Sequence, residues 1–422
     1  MMMQDILDWA AQAAGGELVR SFKASGGNRR QSWGLDVRLP DGTERALFIR
    51  HDPRETIDGI EPYTIAREAE VYRAIAPIGL QAPQYVAEST ALRAVVTDRA
   101  EGIAELRHLK DPVAKQVIAR EFMDNIARLH AARNVTLDGG LTGRIADHVA
   151  KEVALWEAMF TETGRPDPLI AFAFRWLKAN MPDPDGTPVI VHGDAGPGNF
   201  MFHDGHLTTL IDWEFCHLGD PMEDLAWFAM RCVMEPVPDF HAALAHYEAA
   251  SGHAINRQRL LYHRVLVSAR VCVIRHRNFA GEPAYAIVSR GLNRRLLIEA
   301  LSAASGITVP PPVPAEAPET DQQWLYDRVI AQFGDIVIPH STDRQVIGVA
   351  KNNAKVVKYL KAIDRYGATI AAARAAALAR LGPLEQLPFD QALAYFAQDS
   401  LWEAQLSAEA SGSIARRHYD EI

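Results

Sequence analysis

Alternating apolar and polar positions make the first quarter of the chain read as a sheet. Trp33 to Leu39 and Ala46-Leu47-Phe48-Ile49-Arg50 are strand-like, with Asp41-Gly42 as the hairpin signal between them. Ser25-Gly26-Gly27-Asn28 is a turn leading into the first of these strands, and Ala94 to Gly102 is a later strand that ends in a polar turn. Within this region the period changes once: Ile65, Ala69, Tyr72 and Ala76 recur at helical spacing over 65–76. After Gly102 helical periodicity takes over. Val117, Ile118, Phe122, Ile126 and Leu129 mark a helix over 113–132 that ends at His130, and 143–180 carry Trp156, Phe160, Phe172, Phe174 and Trp176, aromatics read as core. A short apolar strand, Pro188 to Val191, and a hairpin around Asp204-Gly205 interrupt the helices. Thr308 to Pro318 is proline-rich, semi-rigid and unable to be helical. Residues 321–422 read as further helices, among them an alanine-rich stretch over 368–381 that Gly382-Pro383 stops.

Composition narrows the class. A chain of 422 residues exceeds one ordinary core, and 48% hydrophobic with 23% charged residues describes a globular protein. A net charge of −9 argues against nonspecific nucleic-acid binding. Cys216, Cys232 and Cys272 have neither disulfide nor zinc spacing, so a reducing cytoplasm is the expected location. The first sixteen residues lack the cationic start of a signal peptide, and no apolar run reaches the roughly 20 residues of a membrane span.

Two groups of residues carry chemistry. Glu68 lies on the apolar stripe of the 65–76 helix, where a carboxylate is costly unless paired. Arg50, on one strand face with Phe48 and Ala46, is its natural partner, and a structural ion pair is the alternative to a ligand site. The second group is His192-Gly193-Asp194, Asn199 and Ile211-Asp212-Trp213-Glu214. A two-residue turn at Asp204-Gly205 would pair His203 with His206 and Asn199 with Leu210, and set Asp212 diagonally beside Asn199 on one face. A Mg²⁺ ion fits between an amide and a carboxylate so placed, with Asp194 just upstream. Asp212 as a helix N-cap is the structural alternative. A metallohydrolase using His192, Asp194, His203 and His206 is a rival, weakened because His203 and His206 sit at the far end of the hairpin.

With Gly219-Asp220-Pro221 and Asp224-Leu225-Ala226-Trp227, this ordered set resembles the aminoglycoside phosphotransferase family over about residues 1–305. The wording from Asp212 to Trp227 is most similar to the kinase-like domains associated with acyl-CoA dehydrogenases. The resemblance implies an α+β, protein-kinase-like bilobal fold. A β-rich, nucleotide-binding N-lobe (1–102) would precede a mainly helical C-lobe (103–307), a proline-rich linker (308–320) and a small all-α domain (321–422). It implies Asp194 as catalytic aspartate, Asn199 and Asp212 as Mg²⁺ ligands, and Arg50 in the usual lysine position, oriented by Glu68. Gly26, Gly27 and Asn28 would cover the phosphates with backbone amides. The backbone near Asp98 and Ala100 would meet the purine, and Asp220 and Asp224 would brace the catalytic loop. The implied reaction is ATP-dependent, or GTP-dependent, phosphorylation of a small-molecule hydroxyl. A hydroxyacyl-CoA or hydroxy acid is the favoured acceptor and an aminoglycoside or amino alcohol the alternative; a catalytically silent binding module is the rival from another class. Arg231, Arg275, His276 and Arg277 are candidate groups for an acidic acceptor, with solvated helix faces as the alternative reading. The stripe Lys351, Lys355, Lys358 and Lys361 is read the same way. Neither nucleic acid nor membrane is an expected partner; the C-terminal helices are expected to mediate homodimerisation or docking on a partner enzyme.

Overall fold

The computed structural model describes residues 3–24, 30–54, 60–134, 136–277 and 284–422. Gly26, Gly27 and Asn28 lie outside them. The chain opens with α1 (Met3–Ala13), β1 (Glu17–Lys23), β2 (Gln31–Arg38), β3 (Glu44–His51), α2 (Ile65–Ile75), β4 (Tyr85–Ser89) and β5 (Ala94–Asp98). It continues through α3 (Pro112–Ala131), α4 (Ile145–Thr161), α5 (Pro168–Ala179), β6 (Val189–Val191), β7 (Phe200–His203), β8 (His206–Leu210) and β9 (His217–Gly219). Seven helices close it: α6 (Pro221–Met234), α7 (Phe240–Ser251), α8 (Arg257–Arg277), α9 (Ile287–Ser305), α10 (Gln323–Ala331), α11 (Arg344–Leu381) and α12 (Phe389–Ser411). By contacts the chain divides into two units. One comprises residues 1–159, 181–263 and 420–422, the other 160–180 and 264–419.

The first unit is α+β and protein-kinase-like. Its antiparallel sheet has the order β1-β2-β3-β5-β4. Strand alternation sends Leu35, Val37, Leu47 and Ile49 to one face, where α1 covers them with Ile6, Leu7, Ala10 and Ala11. The other face carries Phe48 and Arg50 into a cleft. α2 starts on Thr64, whose hydroxyl accepts from the Arg67 amide, and buries the stripe that holds Glu68.

The β7–β8 hairpin turns on Asp204 and Gly205, both at positive φ (47° and 80°), as a type I′ turn requires. His203 pairs with His206 as expected, but Phe200, not Asn199, pairs with Leu210. The cause is a bulge: Thr208 has no partner on β7, and its hydroxyl donates to the Glu101 carbonyl at 2.7 Å. Asp212 then leaves the strand altogether, at φ 66°.

In the second unit α9 and α12 approach closely. A side chain at Gly291 would begin 2.6 Å from the Ala404 backbone. Arg294 bonds Asp167 at 2.7 Å, and Arg374 spans Asp399 and Glu403 at 2.6 and 2.7 Å. The proline-rich run is not helical, as its composition requires, and it is tied along α12. Gln398 exchanges two hydrogen bonds with the Val313 backbone, and Gln405 does the same with Ala315, all at 2.7–2.8 Å.

Candidate active site

Arg50 and Asp212 line the cleft of the first unit, and further ion pairs stand behind them. Arg50 reaches Glu68 at 3.0 Å, Asp212 at 2.8 Å and Glu214 at 3.2 Å. Burial works against its charge, but these three carboxylates outweigh it and raise its pKa well above the usual arginine value. Glu68 is fully buried and also paired with Arg30, which in turn donates to the Tyr63 carbonyl at 2.7 Å and stands 3.4 Å from Glu214. The Arg50–Glu68 pair is where the helix stripe placed it. Arg30 and Glu214 complete the network, and neither position carries a periodic signal that would announce it.

Asp194 sits on the loop after β6. Gly193 has φ 80°, and a Cβ there would fall 2.2 Å from the Phe215 carbonyl oxygen, so the turn requires glycine. Asp224 holds the loop from below: its two oxygens accept from the His192 and Gly193 amides at 2.8 and 3.0 Å, and His130 bonds it at 3.1 Å. That is the bracing role expected of Asp224. Asp220 instead caps α6 through the Met222 amide and pairs with Arg259 and His263. His192 is buried. Its Nδ1 accepts from the Asp194 amide and its Nε2 donates to the Ile211 carbonyl at 3.0 Å, so it links the two halves of the motif. Burial lowers its pKa, although Asp224, Asp194 and Asp212 oppose the shift.

Asn199 donates its Nδ2 to the Asp194 carbonyl at 2.8 Å, which leaves Oδ1 for a cation. Asp212 caps no helix through its side chain. Burial resists its ionisation, but Arg50 first, then Arg231 and His192, hold its pKa below the usual range. Asn199, Asp212 and Arg50 line one cleft of 560 Å³ with Asp98, Ala100 and Ile103, a volume typical of small-ligand sites. An amide and a carboxylate oxygen on one cleft wall suit Mg²⁺, which takes few protein ligands and completes its shell with phosphate and water. At the end of β5 the Asp98 amide donates to the Gln84 carbonyl at 2.9 Å, and the Asp98 carbonyl accepts from the Thr97 hydroxyl at 3.1 Å.

Arg231, one of four candidate cations for an acidic acceptor, donates through Nε to Asp194 Oδ1 at 2.8 Å and through Nη2 to Oδ2. Arg277 and His276 serve structural bonds in the second unit, to Glu162 and the Arg165 carbonyl. Lys361 pairs with Asp327 and Glu409, and Lys358 with Glu409, so those two are ion-paired. The histidine metal cluster does not form: His206 bonds Glu121, and His203 lies against Asp204. Among the described residues there is no cluster of three or more His, Cys, Asp or Glu fit for a metal, and no helix long and apolar enough to cross a membrane.

The five-stranded sheet, the helices that follow it and the short β6–β9 segments are those of a protein-kinase-like fold. The chain belongs to the phosphotransferase enzyme family (APH), whose pattern it matches over residues 36–260. Among curated relatives, it is 25% identical over 183 residues to human acyl-CoA dehydrogenase family member 11, covering 40% of this chain and 23% of that protein. Mouse acyl-CoA dehydrogenase family member 10 is 24% identical over 203 residues, 45% of this chain and 18% of that one. The match thus spans about a quarter or less of those proteins. Among solved structures, a thermostable mutant of aminoglycoside phosphotransferase APH(4)-Ia in complex with AMP-PNP and hygromycin B aligns at 17% identity and TM-score 0.51, covering 71% of this chain and 98% of that one. Its apo form aligns at 17% identity and TM-score 0.51, over 71% and 99%. At these identities the structural likeness concerns the fold.

Proposed function

We propose that this chain is a Mg²⁺-dependent kinase that transfers the γ-phosphoryl group of ATP, with GTP as the alternative, to the hydroxyl of a small metabolite. The observation that carries this reading is that Asn199 and Asp212 line one cleft with Arg50, and that Asn199 is bonded to Asp194 on the loop beside it. Asn199 and Asp212 would hold Mg²⁺, which when bound neutralises phosphate charge. Arg50 would exchange Asp212 for the nucleotide phosphates, kept in place by Glu68 and, behind it, Arg30. Asp194 would accept the proton of the acceptor hydroxyl, and Asp224 keeps its loop rigid. The purine would lie along Asp98 and Ala100, and Gly26, Gly27 and Asn28 would close over the phosphates. The acyl-CoA dehydrogenase relatives favour a hydroxyacyl-CoA or hydroxy acid as acceptor; the aminoglycoside phosphotransferase fold keeps amino alcohols and aminoglycosides as the alternative. A cytoplasmic site of action fits the cysteine usage.

The test is ATP consumption with Mg²⁺ against hydroxyacyl-CoAs, hydroxy acids, amino alcohols and aminoglycosides, with Asp194→Ala as control. Turnover on one class, lost in the variant, supports the reading and names the acceptor. Absence of Mg-ATP binding overturns it.

A further inference from the structure

Arg231 stands in the site without a part in the reaction so far described. It projects from the last turn of α6, and the catalytic loop is shaped around it. A Cβ on Gly196, which has φ 140°, would fall 2.7 Å from Arg231 Cβ and 3.0 Å from its Cγ; one on Gly198 would lie 3.6 Å from Nη1. Gly196 therefore gives up its side chain to admit the arginine stem, whereas a side chain at Gly198 would meet the guanidinium only in ordinary contact. The guanidinium takes both oxygens of Asp194, yet its side chain is 27% exposed where that of Asp194 is 8% exposed. Its charge also helps to hold Asp212 ionised, so it acts on both the expected base and the expected metal ligand.

Phosphoryl transfer passes through a loose transition state whose charge spreads over three equatorial oxygens, and cations around those oxygens supply much of the catalysis. On the nucleotide side Arg50 is tied to three carboxylates. Beside the acceptor hydroxyl, which must touch Asp194, the guanidinium at hand is Arg231. We propose that Arg231 is a catalytic cation supplied in cis: it holds Asp194 in the resting site and turns N–H groups to the equatorial oxygens of the phosphoryl group in transfer. This rests on the phosphoryl-transfer reading above. In the step, the bond between the γ-phosphorus and the bridging oxygen breaks and its electron pair stays on ADP. The bond from the acceptor oxygen to phosphorus forms, the hydroxyl proton passes to Asp194, and Arg231 stays charged throughout.

The experiment needs no acceptor. Affinities of the full chain for Mg-ADP, and for Mg-ADP with aluminium fluoride as a planar mimic of the transferring group, are measured by calorimetry. Wild type, Arg231→Gln, Arg231→Lys and Asp194→Asn are compared, each checked for cooperative melting. Wild type should gain about 100-fold or more from the fluoride, as transition-state analogues do. Arg231→Gln should lose at least about tenfold of that gain with Mg-ADP affinity unchanged, and Arg231→Lys should keep part of it, lacking the fork. Asp194→Asn should keep most of it, since the cation acts directly. An equal gain in wild type and Arg231→Gln overturns the proposal, as does an equal loss in Asp194→Asn and Arg231→Gln, which would make Arg231 a support for Asp194 only. No fluoride gain in wild type overturns it too. Should the Gln variant not fold, an undiminished gain in Arg231→Lys overturns it and a reduced one supports it. Failure of wild type to bind Mg-ADP strikes the kinase reading itself, a separate outcome.

Discussion

Glu68 shows how a single residue discloses a site. A carboxylate on an apolar helical stripe demands a cation, and the strand arginine at the right face, Arg50, meets it at 3.0 Å. Arg30 and Arg231 were not legible in the same way. Arg30 lies just ahead of β2, outside any periodic pattern, and Arg231, a candidate cation for an acidic acceptor in the sequence, follows a run of buried α6 residues that does not announce its pairing with Asp194. Their roles arise from which carboxylate the fold brings near, which is tertiary information. The expected roles are separable by substitution. Asp194→Ala removes the proton acceptor and Asp212→Ala a metal ligand, and each should lower turnover by about 10³-fold or more. ADP binding measured without metal should persist in both. Turnover near wild type in either variant would contradict its assignment.

At the scale of elements, the hairpin was legible as a turn and misread as a register. Asp204-Gly205 supplies the two positive φ angles that fix a type I′ turn, whereas the bulge at Thr208 depends on a bond to the Glu101 carbonyl, which no local pattern announces. Asn199 and Asp212 still line one cleft, by way of the left-handed turn at Asp212 instead of a strand diagonal. The N-terminus of α6 offers a pH test. Asp220 is fully buried; burial resists its charge, but His263 and Arg259 outweigh it and hold its pKa far below the ordinary value. A folded pKa below the unfolded one, near 3.9, gives stability that is whole above about pH 4 and is lost as pH falls below it. Asp220→Asn keeps a cap but unpairs Arg259. It should cost about 3 kcal/mol at pH 7 and flatten the acid limb of stability, read by urea unfolding at several pH values. An unchanged acid limb would remove Asp220 as its source. Asp224→Ala strips two buried amides of their acceptor, and should cost about 2–4 kcal/mol together with activity, read by melting and turnover of one preparation.

For the whole molecule, composition marked the proline run from Thr308 to Pro318 as the place where helices stop, and it contains none. What that run packs against was not legible, because the glutamines that tie it, Gln398 and Gln405, lie far along the chain at a helical spacing ordinary for a solvated face. The packing bears on whether the C-terminal helices are an appendage. In the second unit Phe172 of α5 stacks on Phe389 and lies against Phe396 of α12, with ring centroids 4.9 and 5.1 Å apart. Gly291 of α9 meets the α12 backbone, and Arg294 joins Asp167 to Asp399. Cutting the chain after residue 307 would leave the apolar faces of α5 and α9 in water and Arg294 with one carboxylate fewer. Such a patch drives association, so the fragment 1–307 should be largely insoluble or lose cooperative melting. Replacing both Gln398 and Gln405 with leucine should lower the melting temperature of the full chain without precipitating it, because four hydrogen bonds go while the ring stack stays. A soluble fragment 1–307 that melts cooperatively would instead make the C-terminal helices a separable module, and their contacts with α5 and α9 dispensable for folding.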